Sequence, residues 1–332
     1  MKAVAYSIRS FEKGPLALAN QKKHDITLIS NPLNLQTAVY AEGKDAVLVF
    51  TNDDVSAPVI EKLAGFGVKY IVTRSTGTDQ IDLEAAARFG IKVGNVPSYS
   101  PHAIAEQSIA LAMALNRKLV ETVNEGRGFD FRVENHVGFN FYGKTVGIVG
   151  LGMIGRTTAA IYNGLGCKVI GYDVAPVNNL TAITQVGLET LFEQADIISL
   201  HAPLTPETKH LINKTSIALM KKGVMLINTA RGGLICTEDI LEALKSAQVG
   251  YLGIDVFEYE KGLFFEDHHA DAIKNPLLEE LMAMPNVMIT PHQGFLTNEA
   301  LEEIAAKTVS HLDNWQQKNV LVMPAFVQKL PV

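Results

Sequence analysis

Three glycines in G-x-G-x-x-G spacing, Gly150, Gly152 and Gly155, follow directly on the β-branched, apolar run Thr145 to Val149. No other stretch constrains the chain as much. Such a run favours a strand. The glycines then permit a tight turn, a close approach of backbone amides to a pyrophosphate, and close packing of the following helix on its strand. That helix would turn its positive end toward the phosphates. Lys168 to Tyr172 reads as the next parallel strand, and Asp173 closes it 18 residues after Gly155. An acid ~20 residues on meets an adenosine ribose in a dinucleotide-binding βαβ unit. A glycine triplet or a strand-end aspartate is ordinary by itself; the strand, turn, helix, strand and acid in that order are specific.

The chain has 332 residues, room for two domains, since single cores rarely exceed ~250 to 300 residues. Before the glycine unit, strand-like runs at Ala3 to Ile8, Ile26 to Ile29, Ala46 to Phe50, Lys69 to Thr73 and Ile91 to Val96 alternate with helical spacing at Ala57 to Ala64 and Leu83 to Phe89. Ser56 and Asp82 stand at the N-cap positions of those helices. This is a parallel α/β rhythm. Arg74 to Asp79 forms a polar turn after a strand, either an amide nest for an anion or an ordinary turn. Ser100-Pro101 starts a helix to about Arg117, apolar nearly all round, which reads as buried between domains or subunits. Gly126 to Tyr142 lacks periodicity and reads as a loop. After Asp173, strands are expected at Ile197 to Leu200, Val224 to Asn228, Tyr251 to Asp255 and Val287 to Thr290. With the two of the glycine unit these make six, a complete dinucleotide-binding sheet. A last helix from Thr297 places Leu301, Ile304, Ala305, Thr308, Leu312 and Trp315 on one face, suited to a return onto the first domain.

Composition narrows the function classes. Apolar residues make up 47% and charged residues 19%, with a formal charge of -6. That is an ordinary globular balance, without the basic blocks of a nucleic-acid surface. No apolar run reaches membrane-span length, and the first residues lack a signal-peptide core, so a cytoplasmic protein is the expectation. Cys167 and Cys236 make neither C-x-x-C nor a zinc spacing and read as small buried hydrophobes in a reducing compartment. Asp267-His268-His269-Ala270-Asp271 resembles a metal cluster, but adjacent histidines rarely aim at one ion, and no metal is expected.

Ligands of open α/β sheets lie outside the carboxyl ends of the strands. Three residues there have the chemistry to act together. Arg231 follows Asn228-Thr229-Ala230 and offers a fixed fork for a carboxylate. Glu260 lies just past Asp255-Val256-Phe257 and in isolation reads as a solvated acid. His292 sits in a turn that Pro291 and Gly294 keep out of helix. Cation, acid and imidazole are the parts needed to bind an oxo acid and protonate its carbonyl.

On Asn95-Val96-Pro97-Ser98-Tyr99-Ser100-Pro101, the glycine fingerprint, Leu200-His201-Ala202-Pro203-Leu204-Thr205, Asn228-Thr229-Ala230-Arg231-Gly232, Asp255-Val256-Phe257-Glu258 and Thr290-Pro291-His292, the chain resembles the D-isomer-specific 2-hydroxyacid dehydrogenases. Within them it is most similar to the fermentative NAD-dependent D-lactate dehydrogenases. The likeness spans essentially the whole sequence and matches Arg231, Glu260 and His292 to the family's catalytic trio. It implies a flavodoxin-like catalytic domain over 1–99 and 297–332 with a Rossmann domain, 100–296, inserted, both doubly wound parallel sheets with the substrate in the cleft. The resemblance also implies that Ser75 to Thr78, with Thr76 and Gly77 at its centre, holds the substrate carboxylate near Arg9 and Tyr99. Phe50, Tyr99 and Phe295 would then surround the C3 group. NAD would contact Gly150, Gly152, Met153, Ile154, Gly155, Asp173, Ala202, Pro203, Thr208, Thr229, Ala230 and Asp255. The implied reaction is reversible reduction of pyruvate to D-lactate by an even homo-oligomer, dimer or tetramer. The rivals are a family member for a larger branched or aromatic 2-oxo acid and a dinucleotide-sensing scaffold, although the intact trio speaks against a scaffold.

Overall fold

The structure, a computed structural model, describes residues 1–269 and 275–317. The chain divides into two compact units, Met1–Ser100 with Leu296–Val332, and Pro101–Phe295. The first unit is built on five parallel strands: β1 (Lys2–Ala5), β2 (Asp25–Leu28), β3 (Ala46–Val49), β4 (Tyr70–Thr73) and β5 (Lys92–Gly94). Their spatial order, β2-β1-β3-β4-β5, is the flavodoxin-like one. Strand side chains alternate between faces, which separates two cores. Val4, Val47, Val49 and Ile71 pack with Val59, Ile60 and Leu63 of helix Ala57–Gly65. Ala3, Ala5, Ala46 and Leu48 face the other way and pack with Leu16, Val309 and Leu312. The apolar stripe of helix Asn298–Gln316 therefore lies on this sheet, with Trp315 stacked on Tyr70 at a centroid distance of 4.5 Å. Thr297 caps that helix by accepting from the amide of Ala300.

The second unit carries seven parallel strands: β6 (Thr145–Val149), β7 (Lys168–Tyr172), β8 (Thr184–Gln185), β9 (Ile197–Leu200), β10 (Val224–Asn228), β11 (Val249–Ile254) and β12 (Val287–Ile289). The order is β12-β11-β10-β9-β6-β7-β8, the six-strand Rossmann arrangement with a further strand at one edge. The expectation of six strands is corrected by β8. Its two residues pair with Ile170 and Gly171 but are too short to show an apolar period.

Two further expectations change. Helix Pro101–Asn116 packs on its own sheet, where Leu111, Ala112 and Leu115 meet Ile148, Ile197, Met225 and Ile227. It does have an outer face, with Glu106 and Ala110 exposed. Helix Leu119–Arg127 follows it, and the loop expected over Gly126 to Tyr142 is found from Gly128 onward. Helix Ser10–Asn20 was not foreseen, because Gly14 and Pro15 interrupt its pattern. Asp82 caps helix Leu83–Arg88 by accepting from the amide of Ala85, whereas Ser56 makes no side-chain cap.

Candidate active site

The turn after β6 shows why three glycines stand there. Gly150 has φ +96°, and a Cβ on it would lie 2.7 Å from the carbonyl oxygen of His201; a Cβ on Gly155 would lie 1.9 Å from the carbonyl oxygen of Gly150. Gly152, the N-cap of helix Met153–Gly164, makes no side-chain cap and would place a Cβ in open space. The result is a helix N-terminus approachable by an anion. Asp173 directly follows β7, and its Oδ2 accepts from the amide of Leu151 at 2.8 Å. A carboxylate has further lone pairs, so acceptor capacity remains for ribose hydroxyls. Ala202, Pro203 and Thr208 line the loop after β9, where Thr208 Oγ1 accepts from the amide of Thr205 and donates to the carbonyl of Pro203. Thr229 and Ala230 follow β10, and Thr229 Oγ1 is buried with no partner among the described residues. The candidates thus gather where the strand order reverses, between β6 and β9, as a dinucleotide site requires. The open glycine turn, the strand-end acid and the orphaned hydroxyl fit NAD.

Arg231, Glu260 and His292 follow β10, β11 and β12, three neighbouring strands. His292 Nδ1 lies 2.8 Å from Glu260 Oε1, while Glu260 Oε2 accepts from the amide of Phe257 at 2.9 Å. An ionised carboxylate only accepts, so Nδ1 carries the hydrogen and Nε2 is the ring atom left for a substrate. Arg231 donates from Nη1 to the carbonyl of Ala230 at 2.8 Å.

His292 has φ +55°, a left-handed conformation that costs energy for a non-glycine residue. Asp255 imposes it. The backbone oxygen of Asp255 accepts from the His292 amide at 2.7 Å, and its carboxylate accepts from Thr290 Oγ1, the Gln293 amide and the Gly294 amide. Burial pushes the Asp255 carboxyl up, opposed by those three donors. Proline and glycine therefore only permit the bend; Asp255 fixes it. Sequence reasoning assigned Asp255 to the cofactor and missed this clamp, whose partners lie 35 to 39 residues away.

The remaining candidates belong to the first unit, Phe295 excepted. The amides of Thr76, Gly77 and Thr78 donate to no group among the described residues, and Ser75 Oγ donates to the carbonyl of Gly77. Arg74, in contrast, is committed to contacts within its own unit. Its guanidinium bonds Glu12 Oε1 at 2.7 Å and the carbonyls of Leu48 and Tyr6, and lies over the Phe50 ring. The amide of Arg9 donates to the other oxygen of Glu12. Phe50 and Phe295 are buried, and Tyr99 is half-buried. Cys167 is buried, whereas Cys236 is half-exposed beside Glu238, a correction to its reading as a buried hydrophobe. Among the described residues no cluster of ligating side chains suits a metal; Ala270 and Asp271 of the acid-histidine run lie outside them.

Comparison with known proteins supplies the remaining constraint. Residues 109–294 match the family described as D-isomer specific 2-hydroxyacid dehydrogenase, NAD binding domain. The chain belongs to that family. A D-lactate dehydrogenase of Curvularia clavata is 45% identical over 305 residues, covering 92% of this chain and 87% of the relative. The structure of the pyruvate reductase of Chlamydomonas reinhardtii superposes with a TM-score of 0.90 at 41% identity, covering 96% and 97% of the two chains. A D-2-hydroxyisocaproate dehydrogenase structure gives 0.84 at 34% identity, covering 97% and 98%. This 2-hydroxyacid dehydrogenase is accordingly an NAD-dependent oxidoreductase with the two-sheet fold of its relatives.

Proposed function

We propose that this dehydrogenase reduces pyruvate to D-lactate with NADH and catalyses the reverse oxidation. The observation that carries the reading is the 2.8 Å pair of His292 and Glu260, on the strand ends next to the one bearing Arg231. When bound, the cofactor supplies the hydride taken up at C2 of the oxo acid. Protonated His292 gives its Nε2 proton to the carbonyl oxygen, and Glu260 holds Nδ1 and stabilises the ring's charge. Arg231 binds the carboxylate and polarises the carbonyl, with the amides of Thr76 to Thr78 as further donors and Arg9 near them. Asp173 accepts from the ribose hydroxyls and would repel a 2′-phosphate, since Val174-Ala175-Pro176 offers no arginine for one. Phe50, Tyr99 and Phe295 restrict the C3 group to about a methyl. The Curvularia and Chlamydomonas relatives support the small substrate.

The enzyme is placed in the cytoplasm, in keeping with two free cysteines, and serves fermentative regeneration of NAD. No described helix is long and apolar enough to cross a membrane. A homo-oligomer, dimer or tetramer, is favoured by the exposed apolar residues between Leu119 and Val137. No nucleic-acid partner is proposed.

The test is a panel of 2-oxo acids with NADH and NADPH, followed by chiral analysis of the product. Specificity constants should fall from pyruvate to 2-oxobutyrate to phenylpyruvate, by ~1 to 3 kcal/mol for one added methylene. NADH should be preferred and D-lactate formed. Better reduction of 2-oxoisocaproate or phenylpyruvate would transfer the assignment to a larger substrate.

A further inference from the structure

Behind Arg231 and Glu260 lies a second acid and imidazole pair that the reaction does not use. Glu258 Oε1 is 2.5 Å from His210 Nε2, and Glu258 Oε2 accepts from both the amide and the hydroxyl of Thr237, at 3.1 and 2.8 Å. The Glu258 side chain is 9% exposed. Its charge meets the N-terminus of helix Thr237–Lys245, whose own N-cap, Cys236, provides no side-chain cap. An anion there is favourable.

The pair joins the two backbone segments that carry the proposed catalytic groups. His210, held at φ +52°, donates its amide to the carbonyl of Gly233, two residues past Arg231, and accepts at its own carbonyl from Asn213 Nδ2. A Cβ on Gly232 would lie 2.1 Å from the carbonyl carbon of Phe257 and 2.4 Å from the amide nitrogen of Glu258. The backbone leaving Arg231 is thus pressed against the backbone entering the Glu260 turn. Phe257 is buried, and its amide donates to Glu260 Oε2. A shift of Glu258 passes through this short turn to the carboxylate that holds His292.

We propose that Glu258 and His210 are a positioning pair for the reduction, fixing the Glu260 turn against the loop that follows Arg231. This rests on the roles given above to Arg231, Glu260 and His292. The test uses the full-length enzyme with NADH and pyruvate. His210→Ala, at a half-exposed site, should keep its melting temperature within a few degrees and its NADH affinity within about twofold, yet lose kcat roughly tenfold. Glu258→Ala should lose as much, and the double variant no more than either, because the two act as a unit. Glu258→Gln, which still accepts from Thr237, should recover most of the rate. Unchanged kcat in His210→Ala, multiplicative losses in the double variant, or losses that follow melting temperature and NADH binding would each overturn the pair's role. Should His292→Ala and Glu260→Gln also keep full kcat, the underlying catalytic reading fails, a result distinct from failure of the pair alone.

Discussion

A histidine held at positive φ by an aspartate just past the neighbouring strand couples residue chemistry to fold. Asp255 takes four hydrogen bonds from Thr290 to Gly294, counting its backbone oxygen, and so converts a tolerant turn into one geometry for the imidazole. The same economy of donors explains His201. Its Nε2 meets Ser199 Oγ at 2.9 Å, its Nδ1 is buried with no partner among the described residues, and burial takes the ring from 6.5 down to about 3. Since the folded value is depressed, the unfolded chain binds the extra proton between those limits. Stability is complete above about pH 6.5 and is lost as pH falls toward 3, by at most about 1.4 kcal/mol per pH unit for one proton. His201→Gln should flatten the fall in urea midpoint between pH 7 and pH 4; an unaltered slope would show that this ring does not govern acid stability. Arg231, Glu260 and His292 were legible as candidates because each follows a recognisable strand. The Glu258–His210 contact was not, because its partners are 48 residues apart and no periodicity joins them.

At the scale of elements, the βαβ unit around Gly150 depends on backbone approach more than on side-chain packing. A methyl at Gly155 cannot be accommodated by a rotamer change, because the obstruction is the carbonyl oxygen of Gly150. Gly155→Ala should therefore shift the helix Met153–Gly164 away from β6, weaken NADH binding at least tenfold and lower stability by about 1–3 kcal/mol. Fluorescence titration with NADH checks the first effect and thermal melts the second; wild-type affinity would mean that close helix-strand packing is not needed for the cofactor. The fingerprint strands were readable because β-branched runs stop at glycines. Elements that escaped did so for physical reasons. Strand β8 has only two residues, and helix Ser10–Asn20 contains Gly14 and Pro15 and is held by tertiary contacts such as Leu16 against the first sheet. Helix Pro101–Asn116 was identified in place but not in packing, since an all-round apolar pattern cannot say which neighbour covers which side.

For the whole molecule, the second unit leaves Phe129 87% and Val137 79% exposed, with Val120, Val123, Phe131 and Val133 also open. So many apolar side chains along one segment favour burial in a second copy. If the proposed homo-oligomer forms through this segment, Phe131→Glu shifts sedimentation toward the monomer; sedimentation unchanged from that of the unaltered protein would contradict this contact. The two sheets, one glycine turn and three adjacent strand ends converge on a single claim, that His292 carries the transferred proton while Glu260 holds the ring. The kcat for pyruvate reduction by NADH in His292→Ala and Glu260→Gln, measured beside NADH binding, tests it most directly. Each variant should bind NADH within about twofold of the unaltered enzyme, while kcat falls by about 10²- to 10⁴-fold in His292→Ala and by less in Glu260→Gln. Unchanged kcat in His292→Ala would contradict the claim.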